Sequence, residues 1–349
     1  MTATPTAHKA NGADEYPAPV QLAEGIWRVT VPVPFRSLRA VNLWLLEDGH
    51  GYTMIDCGFC DEDTHARLEH AWDAVLGGKR VTRLIVTHFH PDHIGNCRFI
   101  CDRWALRPQM TQLEWMAANA ALKSLYSDDF ELRAKFWAQN GASKELVDLY
   151  RSETVLYDSG VELTEGFDRI SSGQTLSIGG RDWLITTGQG HSPDLATLYN
   201  ARDDILIAGD QILPKITTNV SVWPWEPLAN PLHEFLESLD RLDKIVTHET
   251  FVLPSHREPF HDGKARIAEL KHHHDERLEE VIALLKGHEA RSAGELLAPL
   301  FKRELDGHQV NFAMGEALAH LNHLLFQGVV DRHVGDDGII RFSLHEGRV

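Results

Sequence analysis

The chain of 349 residues is long enough for two domains, and its 43% hydrophobic and 24% charged residues are typical of an ordinary globular protein. Its formal net charge of −17 argues against a non-specific polyanion binder, because phosphate contacts need clustered Lys and Arg. No apolar run approaches the length of a membrane span, and residues 1–19 lack the apolar stretch of a secretory signal. We therefore expect a cytoplasmic protein that binds neither a membrane nor nucleic acid.

The first third of the chain is predicted to be rich in strands, after a disordered leader over residues 1–20. Short β-branched and aliphatic runs bounded by turn residues are the basis of this prediction. The predicted strands cover residues 25–31, 40–46, 52–56 and 81–86. A helix with one apolar face is predicted before the last of them, over residues 63–76.

Side chains that bind metals crowd into the loop after the strand at 81–86. His88, His90, Asp92 and His93 fall within six residues, and Pro91 among them disfavours a helix or a central strand. So many ligand-type residues directly after an apolar strand are poorly explained as an ordinary surface loop. Nitrogen and oxygen ligands suit Zn²⁺, and also Fe or Mn. The loop therefore predicts a metal site.

The rest of the chain divides into an aromatic-rich helical region, a second strand-rich region and a helical end. Residues from about 108 to 158 have a helical pattern, and a hairpin is predicted over 173–185. Further strands are predicted over residues 195–199, 205–208 and 251–256, with a helix over 232–242. From residue 264 the pattern predicts helices over 264–286, 292–301 and 312–326, and then a hairpin formed by 329–333 and 339–342.

Four cysteines occur in two close pairs, Cys57 with Cys60 and Cys97 with Cys101. Such spacings are compatible with a second zinc site or a redox pair. We instead expect buried, reduced thiols, the common state of cysteine in a cytosolic protein.

The pattern His-x-His-x-Asp-His of residues 88–93 resembles the signature of the metallo-β-lactamase superfamily, and the resemblance covers most of the chain. It is sharpest to the hydrolase branch that includes glyoxalase II and quorum-signal lactonases. The resemblance implies an α/β fold, the αββα sandwich of two mixed sheets with helices outside. This catalytic domain would span residues 21–263, with a helical insert at about 108–158. Residues 264–349 resemble the winged-helix domain that some of these hydrolases carry.

The resemblance also implies two metal ions, most suitably Zn²⁺, held by seven residues. Those that match the ligands of one ion are His88, His90 and His191, and those that match the ligands of the other are Asp92, His93 and His256. Asp210 matches the carboxylate that bridges both ions.

Two further assignments concern residues beside this set. Asp56 matches a position that hydrogen-bonds the metal-site loop, although it is equally compatible with a simple turn cap. His248 competes with His256 as a ligand. We favour His256 because it directly follows an apolar strand, whereas His248 precedes Glu249 and Thr250.

The implied function is that of a dinuclear metal-dependent hydrolase. Two ions roughly 3.5–4 Å apart lower the pKa of bound water to about 7, and the resulting hydroxide would attack a small thioester, ester, lactone or lactam. Asp92 or Asp210 would pass the proton to the leaving group. Hydrolytic dehalogenation of a chlorinated aromatic is an alternative use of the same site.

Substrate contacts are predicted in the segment that follows Asp210. Asn219 among apolar residues, with Trp223 and Trp225, predicts a pocket for an apolar or aromatic group, unless the tryptophans only pack the scaffold. Phe35 and the helical insert are expected to form the opposite wall.

A nuclease or nucleic-acid-binding protein is the alternative of another class. From residue 264 onward there are 11 Lys and Arg against 14 Asp and Glu, and residues 311–326 contain neither Lys nor Arg. A recognition helix without cationic residues would lack phosphate contacts. We therefore expect the C-terminal domain to pack on the catalytic domain or to form a homodimer contact.

Overall fold

The computed structural model describes residues 17–35, 38–122, 129–153 and 157–346. Two mixed β-sheets pack face to face. The first sheet runs in chain order through β1 to β7, which are Val20–Ala23, Ile26–Pro32, Ala40–Asp48, Gly51–Ile55, Arg80–Ile85, Pro108–Met110 and Asp168–Arg169. The second sheet has the order β13-β12-β11-β10-β9-β8. Its strands, numbered along the chain, are Thr175–Ile178, Arg181–Gly188, Leu195–Asn200, Ile205–Gly209, Phe251–Pro254 and Phe260–His261.

Apolar side chains from the facing surfaces of the two sheets form the central core. Trp44 and Ile85 of the first sheet share one buried cluster with Trp183, Ile207 and Leu253 of the second. Alternate residues of a strand point to opposite faces, so the other face of each sheet must be covered by helices. The predicted αββα sandwich is confirmed.

Helices cover both outer faces. On the first sheet lie α1 to α4, which are Glu62–Val75, Pro91–Ile94, Cys97–Trp104 and Gln112–Leu122. The helices α5 to α7 are Asp129–Gln139, Lys144–Glu153 and Pro231–Asp243. Of these, α7 lies on the second sheet, while α5 and α6 pack against each other and α6 packs against the last long helix of the chain, in the same buried cluster. Within the described part of the chain, every helix is too short or too polar to span a lipid bilayer.

The C-terminal region is built from three helices and a hairpin that share a core with the second sheet. The helices α8 to α10 are Gly263–Leu285, Ala293–Phe301 and Gly307–Phe326, and the hairpin strands β14 and β15 are Val330–Val334 and Ile340–Leu344. Met314 and Leu321 of α10 belong to the same buried cluster as Leu206 of β11 and Phe235 of α7. This region is therefore packed firmly against the second sheet and α7.

Several predicted boundaries are wrong for identifiable reasons. The predicted leader extends to residue 20, but Val20 begins β1 and pairs with Arg28 of β2; residues 1–16 of that leader lie outside the described residues. The insert begins with β6, which pairs with β5, rather than with a helix. Pro91 starts the short helix α2, because the first position of a helix needs no N–H donor.

The start of α10 is the boundary that affects the site most. The apolar pattern predicts a start at residue 312, yet the helix begins at Gly307. Asp306 is its N-cap and accepts a hydrogen bond from the backbone N–H of Gln309, whose side chain bonds back to Asp306. This capping box holds an extra turn that has little apolar periodicity of its own.

Candidate metal centre

The motif residues lie where β5 gives way to α2. The Thr87 hydroxyl donates to Asp56 and therefore accepts from Nδ1 of His88, 3.0 Å away, which leaves Nε2 of His88 available. Nδ1 of His90 lies 3.0 Å from that Nε2, so the two rings aim at one point. Asp92 and His93 follow on the single turn of α2.

Asp56 fixes this loop from the end of β4. It has a φ of 63°, in the left-handed region that Asp tolerates better than most residues. Its Oδ1 accepts the Thr87 N–H at 2.7 Å, and its Oδ2 accepts from Nδ1 of His93 at 2.8 Å. Because the carboxylate accepts a hydrogen bond from Nδ1, Nε2 of His93 is left to face the cluster of candidate ligands. This is a common way of orienting a histidine that binds metal.

Two more histidines enter from the second sheet, each oriented by a backbone carbonyl. Nδ1 of His191 lies 2.8 Å from the carbonyl oxygen of Asn219, and Nδ1 of His256 lies 2.8 Å from that of Ala40. In both rings Nε2 is left to face the cluster. His191 follows β9 and His256 follows β12, so chain segments far apart in sequence converge at one edge of the sandwich.

Asp210 directly follows β11 and lies among the Nε2 atoms of His93, His191 and His256. Its Oδ1 is 3.6 Å from Nε2 of His93, and its Oδ2 is 3.5 Å from Nε2 of both His191 and His256. Asp92 reaches only one side of the cluster, with Oδ2 3.4 Å from Nε2 of His256 and 3.7 Å from Nε2 of His93.

The cluster has the donor set and the unsatisfied atoms of a cation site. Three groups have their ligand atoms within 4.8 Å of one another: His88, His90 and His191; His88, His93 and Asp210; and Asp92, His93 and His256. Buried Nε2 atoms of His93, His191 and His256, and Oδ1 of Asp210, have no hydrogen-bond partner among the described residues. Leaving such atoms unsatisfied is costly, and a bound cation would satisfy them. The residues therefore fit metal ions.

The charges in the cluster also favour a bound cation. Burial alone would raise the pKa of Asp210, but His256 and His93 outweigh burial and hold it well below its usual range. Burial opposes protonation of His93, yet the carboxylates of Asp92, Asp210 and Asp56 raise its pKa to about 9. The carboxylates thus attract positive charge, either as protons or as metal. Metal binding is expected to release these protons.

Glu114 is a supporting residue that the sequence did not reveal. It is fully buried on α4, and its Oε2 accepts the Phe89 N–H at 2.9 Å. Its Oε1 accepts from the Ser192 hydroxyl at 2.7 Å and from the Asp194 N–H at 2.6 Å. Burial raises the pKa of Glu114 to about 7 against the effect of these donors. One carboxylate therefore ties the loop of His88 and His90 to the loop of His191.

Glu114→Gln is expected to weaken metal binding by about 10- to 100-fold, the usual effect of losing an outer partner of a metal ligand. The glutamine amide nitrogen cannot accept a hydrogen bond, so one of the two loops loses its anchor. Competition with a chromogenic chelator measures the change. Glu145→Gln, at an exposed position of α6, is the control. Wild-type metal affinity in Glu114→Gln would show that the two loops hold their positions without this carboxylate.

The remaining predicted site residues include one at the surface, one beside the cluster and a stacked aromatic pair. His248 is at the surface, where its Nδ1 lies 2.8 Å from Oδ1 of Asp262, and it does not reach the cluster. Asn219 adjoins the cluster through its backbone carbonyl, while its side-chain Oδ1 accepts from Ser221. Trp223 and Trp225 stack on each other with ring centroids 5.4 Å apart.

The cysteines contribute no ligand to the centre. Cys57, Cys97 and Cys101 are buried in the core beneath α1, and all four cysteines are free thiols. Among the described residues, the groups of ligand atoms contain only histidine and aspartate.

Comparison with known proteins agrees with this geometry. Residues 36–256 match the family model of the metallo-beta-lactamase superfamily, and residues 278–345 match that of a metallo-beta-lactamase-like C-terminal domain. A solved beta-lactamase domain protein from Burkholderia ambifaria is 40% identical, with a TM-score of 0.87 over 95% of this chain and 96% of that one. A metallo-beta-lactamase family protein from Thermus thermophilus is 28% identical, with a TM-score of 0.78 over 93% of this chain and 100% of that one.

Similarity extends to an animal protein. The beta-lactamase-like protein 2 homolog of Caenorhabditis elegans is 22% identical over 260 residues, which cover 74% of this chain and 69% of that protein. The chain belongs to the metallo-β-lactamase superfamily and is a metallo-hydrolase.

Proposed function

We propose that the protein is a dinuclear metal-dependent hydrolase of a small carbonyl compound, in the branch that includes glyoxalase II and the lactonases. The observation that carries this proposal is the position of Asp210. Its two oxygens lie within 3.6 Å of histidines from both ligand sets, His191 from one and His93 and His256 from the other. A single carboxylate shared in this way suits a site for two ions. The candidate ligand atoms are all nitrogen or oxygen, which suits Zn²⁺, with Fe or Mn as alternatives.

The ions, when bound, would supply an activated water and polarise the substrate carbonyl. The protein's own task is to hold the ligands and to move the proton. Burial would raise the pKa of Asp92, but His93 and His256 hold it at about 2, and the pKa of Asp210 is also depressed. Both carboxylates are thus ionised at neutral pH, which is the state required to accept a proton and pass it to the leaving group.

The pair of stacked tryptophans supports an apolar or aromatic group on the substrate. The Trp223 and Trp225 rings are nearly parallel, at 8°, and the guanidinium of Arg133 on α5 lies 4.9 Å and 5.5 Å from their centroids. The pair is thus held in place by the helical insert, although Trp225 is 44% exposed. Asn219, in the same segment, would orient a polar group of the substrate beside His191.

Trp223→Ala and Trp225→Ala are each to be compared with wild type on the best substrate. At least one is expected to lose roughly tenfold in kcat/KM, or about 1.4 kcal/mol, because aromatic contact area is removed. Metal content measured on the same samples should remain unchanged. Wild-type kcat/KM in both variants would assign the tryptophans to scaffold packing.

A panel of substrates tests the reaction class most directly. It includes a thioester, a lactone, an aryl ester, a β-lactam and a chlorinated aromatic nitrile, the last of which tests for dehalogenation. Labelled RNA and single-stranded DNA form a further arm, for which we expect neither cleavage nor a mobility shift. Hydrolysis of at least one carbonyl compound that is lost on chelation supports the proposal. Robust RNA cleavage that His88→Ala abolishes would instead support a nuclease.

The C-terminal region is proposed to be a winged-helix-like domain that serves the catalytic domain rather than nucleic acid. The order of α8, α9, α10 and the β14–β15 hairpin supports this, as does the core that it shares with the second sheet.

A further inference from the structure

A histidine from the C-terminal region packs against the segment between β2 and β3, which leads to Ala40, the residue whose carbonyl orients His256. His308 is on the first turn of α10, and its ring stacks on Phe35 with centroids 4.7 Å apart and planes at 9°. Phe312, one turn further along α10, meets the same ring edge-on at 4.7 Å. Phe35 lies between β2 and β3 and also packs against Phe59. Two aromatic side chains therefore fix the plane of the imidazole.

The pKa of His308 is affected by charged groups from the metal centre, from α5 and from the start of α10. Burial lowers its pKa, while the carboxylates of Asp306 and Asp92 raise it and the guanidinium of Arg133 lowers it. Asp92 belongs to the metal centre, and Arg133 lies over Trp223 and Trp225. Asp306 is the N-cap of the same helix. His308 is thus within electrostatic reach of both parts of the site.

The imidazole also has an unsatisfied polar atom. Nδ1 of His308 is buried and has no hydrogen-bond partner among the described residues. A phenylalanine at this position would stack equally well and would leave no buried nitrogen unsatisfied. The rigidly held imidazole of His308 is therefore suited to form a hydrogen bond with a polar group of the substrate.

We propose that His308 is a substrate-contacting residue, and that the C-terminal region thereby completes the active site. Its imidazole hydrogen-bonds the polar group that flanks the reacting carbonyl, while Phe35 and the tryptophan pair contact the apolar portion. This assignment rests on the proposed hydrolase function and adds to it a specificity-determining contact from outside the catalytic domain.

Two substitutions separate hydrogen bonding from packing. His308→Phe keeps a ring for Phe35 and Phe312 but removes both nitrogens, whereas His308→Asn keeps a polar atom near the position of Nδ1 and removes the ring. His272→Phe, at an exposed position of α8, is the control. Each full-length, metal-loaded protein is assayed for kcat/KM on the best panel substrate, for metal content and for thermal unfolding. Its affinity for benzohydroxamate, a carbonyl-containing metal ligand with an aromatic ring, is measured by calorimetry.

For His308→Phe we expect about tenfold lower kcat/KM and about tenfold weaker benzohydroxamate binding, with unchanged metal content and an equal or higher Tm. His308→Asn should retain more of both functions despite a lower Tm. Lower Tm in His308→Phe with wild-type binding and kcat/KM would overturn the proposal in favour of a packing role. If wild type hydrolyses nothing in the panel, the hydrolase proposal fails, and the hydroxamate affinities still decide whether His308 contacts a ligand.

Discussion

His256→Ala is expected to leave the protein with one metal ion in place of two and to lower kcat/KM by at least about 1000-fold, or about 4 kcal/mol. His256 is fully buried, and its Nε2 lies 3.4 Å from Asp92 and 3.5 Å from Asp210. Its removal leaves Asp92 and His93 without the third ligand of their set. Elemental analysis and the kinetics of the best panel substrate measure the two effects, and circular dichroism checks that the variant is folded.

The matched control is His248→Ala. This variant also replaces a histidine with alanine, eight residues earlier in the chain. The His248 side chain is 68% exposed and lies within hydrogen-bond distance of Asp262. Metal content and kcat/KM should both remain at wild-type values. If His248→Ala lost an ion while His256→Ala kept two, the assignment of the second ligand set would be wrong.

Asp210→Asn is expected to weaken the binding of both ions and to reduce kcat/KM by a similar factor of at least about 1000. Asparagine keeps the size of the side chain but loses the charge, and one of its two terminal groups becomes a donor. The histidines of both sets would then face an amide in place of the carboxylate that attracts positive charge. Metal binding is measured as occupancy against free metal concentration.

Asp240→Asn is the control for this change, because Asp240 is an exposed residue of α7 that pairs with Lys271. It should bind two ions as tightly as wild type. If Asp210→Asn lost only one ion and held the other with wild-type affinity, Asp210 would belong to a single metal position and would not be shared.

The predicted metal ligands come from the resemblance to the superfamily, and the strand pattern supports them because each follows an apolar strand. His88 and His90 come after β5, Asp210 after β11 and His256 after β12. Local pattern alone identifies those strand ends, and the fold brings them to one edge. The same rule favours His256 over His248, and the structure places His256 among the clustered ligand atoms and His248 at the surface.

Glu114 and His308 could not be predicted in this way, because their roles depend on tertiary contacts. Glu114 lies in the first turn of α4, where an acidic residue is ordinarily solvated and favourable for the helix dipole. Only the fold places it against Phe89 and Ser192. His308 lies in the turn before the apolar face of α10 begins. The capping box from Asp306 to Gln309 was the available signal for that turn.

The metal content of the wild-type protein tests the central claim most directly. The protein is purified without chelator, loaded with Zn²⁺, freed of excess ions by gel filtration and analysed for metal per chain. Two ions per chain are expected, because the ligand atoms of two sets face one shared carboxylate, Asp210. Saturation at one ion or none, in protein that circular dichroism shows to be folded, would contradict the account.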